Sequence, residues 1–227
     1  MKKSYKNNKA GQTEDLAAFD QLFRVSGGFL AGTDEAGRGP LAGPLAAAAV
    51  ILDPFRDYPG VVDSKKMSAS ARDKAYALIT LRAVSWACAV VEAAEVDRLN
   101  PLEAAMLAMR RAVLALDPPP DLVLVDGASR PDLPMKIQTL VKGDARSLSI
   151  AAASVIAKVT RDRIMDQLHE QYPQYGFDRN KGYGVAEHLK ALRLHGPSPC
   201  HRLSFRGVNP PKAAPLFSDR GAGGGDG

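Results

Sequence analysis

The apolar residues of the chain follow two spacings. Residues 83–91 alternate, with Val84, Trp86, Cys88 and Val90 on one face, which is the period of a strand. Residues 122–125, Leu-Val-Leu-Val, form a continuous apolar run after a proline loop at 118–120, as in a parallel strand covered on both faces. Residues 29–34 predict a short strand running into a glycine-rich turn, and 135–141 a further strand. Residues 41–52 leave strand and helix both open, because they are rich in alanine but end in Val50-Ile51-Leu52. Elsewhere the spacing is helical. Ser68 is placed to cap a helix over 69–81, and Asn100-Pro101 supplies a cap followed by a first-turn proline. Leu102, Met106, Met109, Val113 and Leu116 then form the expected core stripe of that second helix. A long helix is predicted over 145–171. Its first half is apolar nearly all round, which predicts deep packing. Strands, a buried helix and then further helices point to a mixed α/β sheet.

Composition narrows the picture. With 45% hydrophobic residues among 227, the chain can bury a sizeable core, which excludes wholesale disorder. We expect one domain over about residues 28–207. Residues 1–27 then form a basic arm and lead-in, and 208–227 a flexible Pro/Gly-rich tail. Two cysteines, Cys88 and Cys200, exclude a disulfide framework and a zinc knuckle. No secretory pattern follows the basic N-terminus, and the apolar run at 41–52 is too short to span a bilayer. The expectation is a cytoplasmic protein with no membrane contact. Net charge is +5, a weak lean towards polyanions. It is concentrated: residues 142–206 hold eleven Lys and Arg against six Asp and Glu, interleaved with Tyr172, Tyr175, Phe177, Tyr183 and Phe205. Charge for phosphates beside rings for stacking is the composition of a nucleic-acid surface.

Four acids stand where chemistry can be done. Asp34 and Glu35 end the first strand, ahead of Gly37-Arg38-Gly39. Adjacent residues of a strand point to opposite faces, so both reach one site only where the strand ends or bulges, which the glycines allow. Asp126 closes the apolar strand, where open α/β sheets bind ligands. Asp144 opens the long helix, and an ordinary N-cap is the competing reading there. On that helix Ser147, Ser154, Lys158 and Arg161 fall on one polar stripe, which needs partners such as a phosphate or a structural ion pair. An all-oxygen set with no His or Cys cluster selects Mg²⁺ or Mn²⁺ over zinc, and two such ions suit phosphodiester hydrolysis. The histidines are isolated in sequence, although His201-Arg202 is expected within reach of a phosphate.

With these residues in view, the chain resembles bacterial ribonuclease HII, of the type 2 ribonuclease H family. The segments that carry the resemblance begin with Gly32-Thr33-Asp34-Glu35-Ala36-Gly37-Arg38-Gly39-Pro40, Val62-Asp63-Ser64-Lys65-Lys66-Met67-Ser68, Val125-Asp126-Gly127 and Val141-Lys142-Gly143-Asp144. They continue with residues 149–162, Tyr172-Pro173-Gln174-Tyr175-Gly176-Phe177, Lys181-Gly182-Tyr183-Gly184 and His201-Arg202-Leu203-Ser204-Phe205. They stand in family order over about residues 28–207. The resemblance implies a ribonuclease-H-like mixed five-stranded sheet flanked by helices, with a helical C-terminal part. It implies cleavage of the RNA strand of RNA–DNA hybrids, and cutting 5′ of a single ribonucleotide embedded in duplex DNA. The ends would be 3′-hydroxyl and 5′-phosphate, and two Mg²⁺ or Mn²⁺ ions would be held by Asp34, Glu35, Asp126 and Asp144. It also implies recognition around the 2′-hydroxyl by Gly37, Arg38 and Gly39, and sensing of the RNA–DNA junction by Tyr183. Ser64, Lys65, Ser154 and Lys158 would then lie near phosphates.

Met67 and Val185 depart from the family's more frequent leucine and threonine, and neither is a proposed ligand. Ribonuclease HIII, the nearest rival, resembles Gly-Lys-Gly where this chain has Gly37-Arg38-Gly39. It also carries an extra N-terminal domain, for which about 27 residues are too few. A non-enzymatic nucleic-acid-binding module explains the basic charge but not four converging acids, which repel phosphate in the absence of metal. In the tail, Ala214-Pro215-Leu216-Phe217 resembles sliding-clamp-binding peptides.

Overall fold

The computed structural model describes residues 9–208. Residues 209–227 of the expected tail, with its clamp-like segment, and the first eight residues of the arm lie outside the described residues; Val208, the first residue of that expected tail, is buried in the core. Five strands form one sheet: β1 (Leu30–Ala36), β2 (Leu45–Ile51), β3 (Ser85–Val91), β4 (Leu122–Asp126) and β5 (Lys136–Leu140), in the order β3-β2-β1-β4-β5. β1 pairs antiparallel with β2 and parallel with β4, so the sheet is mixed. The ambiguous run at 41–52 is therefore a strand. Its alanines face both ways, Ala48 and Val50 into one core and Ala47, Ala49 and Ile51 into the other. A central strand buried on both faces needs no polar alternation, which is why its pattern was mute.

Seven helices complete the described fold: α1 (Lys9–Gln21), α2 (Ala69–Arg82), α3 (Ala93–Leu99), α4 (Pro101–Leu114), α5 (Leu148–Gln171), α6 (Phe177–Asn180) and α7 (Ala186–His195). The Ser68 and Asn100 caps form as expected, accepting from the backbone N–H groups of Ala71 and of Leu102 and Glu103. Helix α4 covers one sheet face with most of the expected stripe: Met109, Val113 and Leu116 are buried and Met106 packs against them. Ala104, Ala105, Ala108 and Ala112 are buried beside Met109 and Val113, while Leu102 is exposed. The alanines let α4 approach the small side chains of β2 closely, with Met109 and Val113 filling the space between them.

Helix α5 covers the other face and is held against β1 by Gly32. A Cβ at Gly32 would lie 2.2 Å from the Ser149 carbonyl carbon, so only glycine permits this approach. Helix α1 corrects the expected arm. Part of the lead-in is helical, Leu16 is buried, and Asp20 Oδ2 accepts from the Ser149 N–H at 2.8 Å and its hydroxyl at 2.7 Å. Asp20 thereby satisfies a free donor at the N-terminus of α5. Asp144, in turn, is not the cap of α5. Ser147 accepts from the Ile150 N–H, and Asp144 sits in a preceding 3₁₀ turn, Gly143–Ala145, its carboxylate free for other partners. Among the described residues no helix is long and apolar enough to cross a membrane.

Candidate active site

The pairing of β1 with β4 stops at Thr33 opposite Val125, while β1 runs on beside β2 to Ala36. The sheet opens at that point, and a cleft of about 230 Å³ occupies the gap. Asp34, Glu35 and Asp126 line it together, so the strand end does bring adjacent carboxylates to one site. Gly37-Arg38-Gly39, Ser64, Lys65, Ser154, Lys158 and Tyr183 line it as well. A larger hollow, about 750 Å³, lies at the opposite end of the sheet beside Phe29, Leu52 and Phe55, with Asp53 its only acid. The acid cluster makes the smaller cleft the chemical site.

Asp34 is 2% exposed. Its Oδ1 accepts from the Glu35 N–H at 2.7 Å, and its Oδ2 is buried without a hydrogen-bond partner. Burial, then the charges of Glu35 and Asp126, raise its pKa well above the ordinary value. Burial raises Glu35 too, against the pull of Arg38, whose Nη1 lies 3.3 Å from Glu35 Oε1. Asp126 is raised by burial and then by the charge on Asp144, although it accepts from the Gly143 N–H at 2.6 Å. Asp144 is set to one side. Its Oδ2 receives the Lys65 ammonium at 3.0 Å. Burial works to lower the pKa of Lys65, but Asp144, Asp34 and Asp63 outweigh it and raise it. As the side chains lie, no three acids, histidines or cysteines among the described residues stand close enough to share one ion. Two of the four acids are engaged by side-chain cations, and it is those cations that a metal would displace.

The donor set fits a hard cation. Three carboxylates with raised pKa values, one of them with a buried oxygen that makes no hydrogen bond, are not fully compensated by the cations beside them. The neighbouring polar groups serve each other: Ser64 and Ser154 share a hydrogen bond at 2.9 Å, and Lys158 meets Asp162 at 2.7 Å. Tyr183 is 45% exposed, its ring facing Gly39 across the mouth of the cleft.

Two arginines shape the site, Arg202 from behind it and Arg161 from its wall. Arg202 and His201 are fully buried, so the expectation that they reach a phosphate is corrected. Arg202 instead donates to the carbonyls of Gly37 (2.7 Å), Arg38 (3.1 Å) and Gly43 (2.9 Å). Arg161 donates to the carbonyls of Pro44, Lys181 and Ala42. Gly37, at φ +98°, is required here, since a Cβ would lie 2.1 Å from Arg161 Nε. Burial, followed by the charge of Arg161, lowers Arg202 to about 10. These guanidinium groups set the conformation of the 37–39 loop and the 181–184 loop. A lone arginine in sequence gives no sign that it serves backbone carbonyls.

Solved structures share this architecture. The ribonuclease H2 of Pyrococcus horikoshii OT3 superposes with a TM-score of 0.68 at 27% identity, covering 79% of this chain and 95% of that one. The ribonuclease HII in a complex with PCNA from Archaeoglobus fulgidus gives 0.65 at 27% identity, covering 78% and 95%. The sheet, its helices and the acid-lined cleft define a nuclease of the ribonuclease H fold, a divalent-metal-dependent hydrolase. A family model described as Ribonuclease HII matches residues 31–208. The Ribonuclease HII 1 of Methylibium petroleiphilum is 56% identical over 178 residues, 78% of this chain and 90% of that protein. The chain belongs to the ribonuclease HII family and is an endonuclease acting on the RNA of RNA–DNA hybrids.

Proposed function

We propose that this nuclease also cuts 5′ of a single ribonucleotide embedded in duplex DNA, using Asp34, Glu35, Asp126 and Asp144 to hold two Mg²⁺ or Mn²⁺ ions. The carrying observation is Asp34, a carboxylate buried between two others, whose Oδ2 makes no close hydrogen bond and whose charge the Ser154 hydroxyl relieves only in part. Ions bound there supply charge that activates a water and stabilises the leaving 3′ oxygen. The chain's own groups do the rest. Lys65 is largely exposed, so it can leave Asp144 and turn to a backbone phosphate. Lys158, beside Ser154 and Ser64, offers a second contact of that kind. The backbone of Gly37-Arg38-Gly39 is held open by Arg202 and Arg161, and its close approach suits hydrogen bonding to a 2′-hydroxyl, the group that separates RNA from DNA. Tyr183, on the other wall, would lie flat on the next deoxyribose, where an added hydroxyl would be desolvated or clash. Water attack breaks the bond between phosphorus and the upstream 3′ oxygen, leaving 3′-hydroxyl and 5′-phosphate ends. The test is a labelled duplex with one ribonucleotide, incubated with Mg²⁺, Mn²⁺ or EDTA. Cutting at the 5′ side of that ribonucleotide with either metal, and none with EDTA, is expected. A protein that cuts only continuous hybrids would refute the reading.

A further inference from the structure

Behind Tyr183 lies a pair of histidines that the chemistry above does not use. His188, on α7, and His201 are both buried, with Nε2 of one 2.9 Å from Nε2 of the other. They are packed among rings: Tyr175 stands 4.7 Å from His201 and Phe177 5.4 Å from His188 between centroids. Each outer nitrogen meets one backbone group whose role is fixed. His201 Nδ1 lies 2.9 Å from the backbone N–H of Ser198, which can only donate, and 2.8 Å from the Ser198 hydroxyl, which follows by donating as well. His188 Nδ1 lies 2.9 Å from the backbone carbonyl of Tyr183, which can only accept.

These two ends leave one arrangement of protons. His201 Nδ1 accepts, so the proton of a neutral His201 is on Nε2. That proton is donated to His188 Nε2. The proton of His188 is therefore on Nδ1, and it is donated to the Tyr183 carbonyl. Any second proton on the pair would set two N–H groups against each other. Burial lowers the pKa of both rings, His201 to about 4 with the charge of His188 adding to the effect, so the neutral pair is the form at pH 7.

The Tyr183 carbonyl thus receives two donors, the His188 ring and the Val185 N–H at 2.8 Å. The Tyr183 N–H donates to the Asn180 carbonyl at 2.9 Å. Both ends of the tyrosine's backbone are tied while its ring stays half-exposed in the cleft. We propose that His188 is the positioning residue that aims Tyr183 at the sugar beyond the cleavage point, with His201 holding His188 in the tautomer this task requires. The inference rests on the proposed role of Tyr183 at the RNA–DNA junction.

Two measurements on the full chain test it. Long-range proton–nitrogen NMR at neutral pH should show His188 protonated on Nδ1 and His201 on Nε2. The opposite tautomer on either ring overturns the proposal. The second is the ratio of cleavage at a single-ribonucleotide duplex to cleavage of a continuous hybrid. His188→Leu removes the donor to Tyr183 and should lower this ratio about tenfold, the scale of one buried hydrogen bond. His188→Asn keeps an N–H near the position of Nδ1 and should recover most of it. Equal losses on both substrates would mean a merely structural role and would overturn the proposal. Should His188→Leu not fold, a His188→Asn ratio as low as that of Tyr183→Ala would do the same. Tyr183→Ala separates the two levels. If it leaves the ratio unchanged, the junction role of Tyr183 fails. If it lowers the ratio and His188→Leu does not, only the histidine inference fails.

Discussion

Replacing Asp34 by asparagine should make the metal-free protein more stable and the enzyme nearly inert. In the folded chain this carboxylate is buried and faces the charges of Glu35 and Asp126, its Oδ2 makes no close hydrogen bond, and Ser154 offsets the charge only in part. Asparagine keeps the acceptor for the Glu35 N–H at the Oδ1 position and removes the charge. A buried unsatisfied polar group costs about 1–3 kcal/mol, and more when charged. The amide still lacks a partner, so the net gain is about 1–2 kcal/mol. For a chain of this size that raises Tm by roughly 2–8 °C. The sign with pH follows from linkage. Asp34, Glu35 and Asp126 all have folded pKa values raised above their ordinary 3.8, 4.5 and 3.8. Each therefore imposes a penalty that is full above its folded pKa. The penalty shrinks as pH falls through that value and is gone below the unfolded one. Metal-free wild type should gain stability from these groups on going from pH 8 towards pH 5, and Asp34→Asn should gain less. Urea denaturation in EDTA at both pH values measures this, and hybrid cleavage with Mg²⁺ should fall by more than about a hundredfold. An Asp34→Asn protein no more stable than wild type at pH 8 in EDTA would refute the account of the unpartnered carboxylate.

Other outcomes follow from the same geometry. Lys65→Ala frees Asp144 from a largely exposed ion pair, so Mn²⁺ titration without substrate should show binding up to about fivefold tighter, with duplex binding weaker. Arg202→Met leaves the Gly37, Arg38 and Gly43 carbonyls without their shared donor; we expect a stability loss of about 2–4 kcal/mol, read by denaturation, and a larger proportional loss of cleavage. Gly32→Ala places a Cβ against the backbone of α5 and should cost at least about 3 kcal/mol or prevent soluble expression; near-normal stability would mean that the helix can shift.

The legible parts of the chain were those whose signal is local. The caps at Ser68 and Asn100, the buried run at 122–125 and the alternation at 83–91 are set by neighbouring residues, and the structure holds all of them. The matched segments placed Asp34, Glu35 and Asp126 near one another, and the cleft lined by them agrees. Long-range chemistry was harder to see. Helix α1 is built from lysine, glycine and acids around Leu16, and its order depends on Asp20 reaching Ser149. The stripe on α4 is legible at Met109 and Val113, but the alanines beside it are not, because their burial depends on the partner, β2, being itself made of alanine. Asp144 as a cap and Asp144 as a cleft-side carboxylate read alike until Ser147 was seen to hold the cap. Arg161 shows in the polar stripe of its helix, but its carbonyl partners do not, and Arg202 carries no spacing signal because its carbonyl partners lie at least 159 positions away.

The reach of Arg202 also bears on how the enzyme matures. Its guanidinium bonds the Arg38 carbonyl across 164 positions of sequence, whereas β1, β2 and β3 are near neighbours along the chain. At about 5–20 residues per second, the ribosome needs roughly 8–33 s to add that interval. Through that time the first strand and its acids are already made, but the loop that would read a ribose has no guanidinium to shape it. On this geometry, competence is acquired late: a nascent chain passes most of its synthesis as an unfinished nuclease beside the ribosome's own RNA.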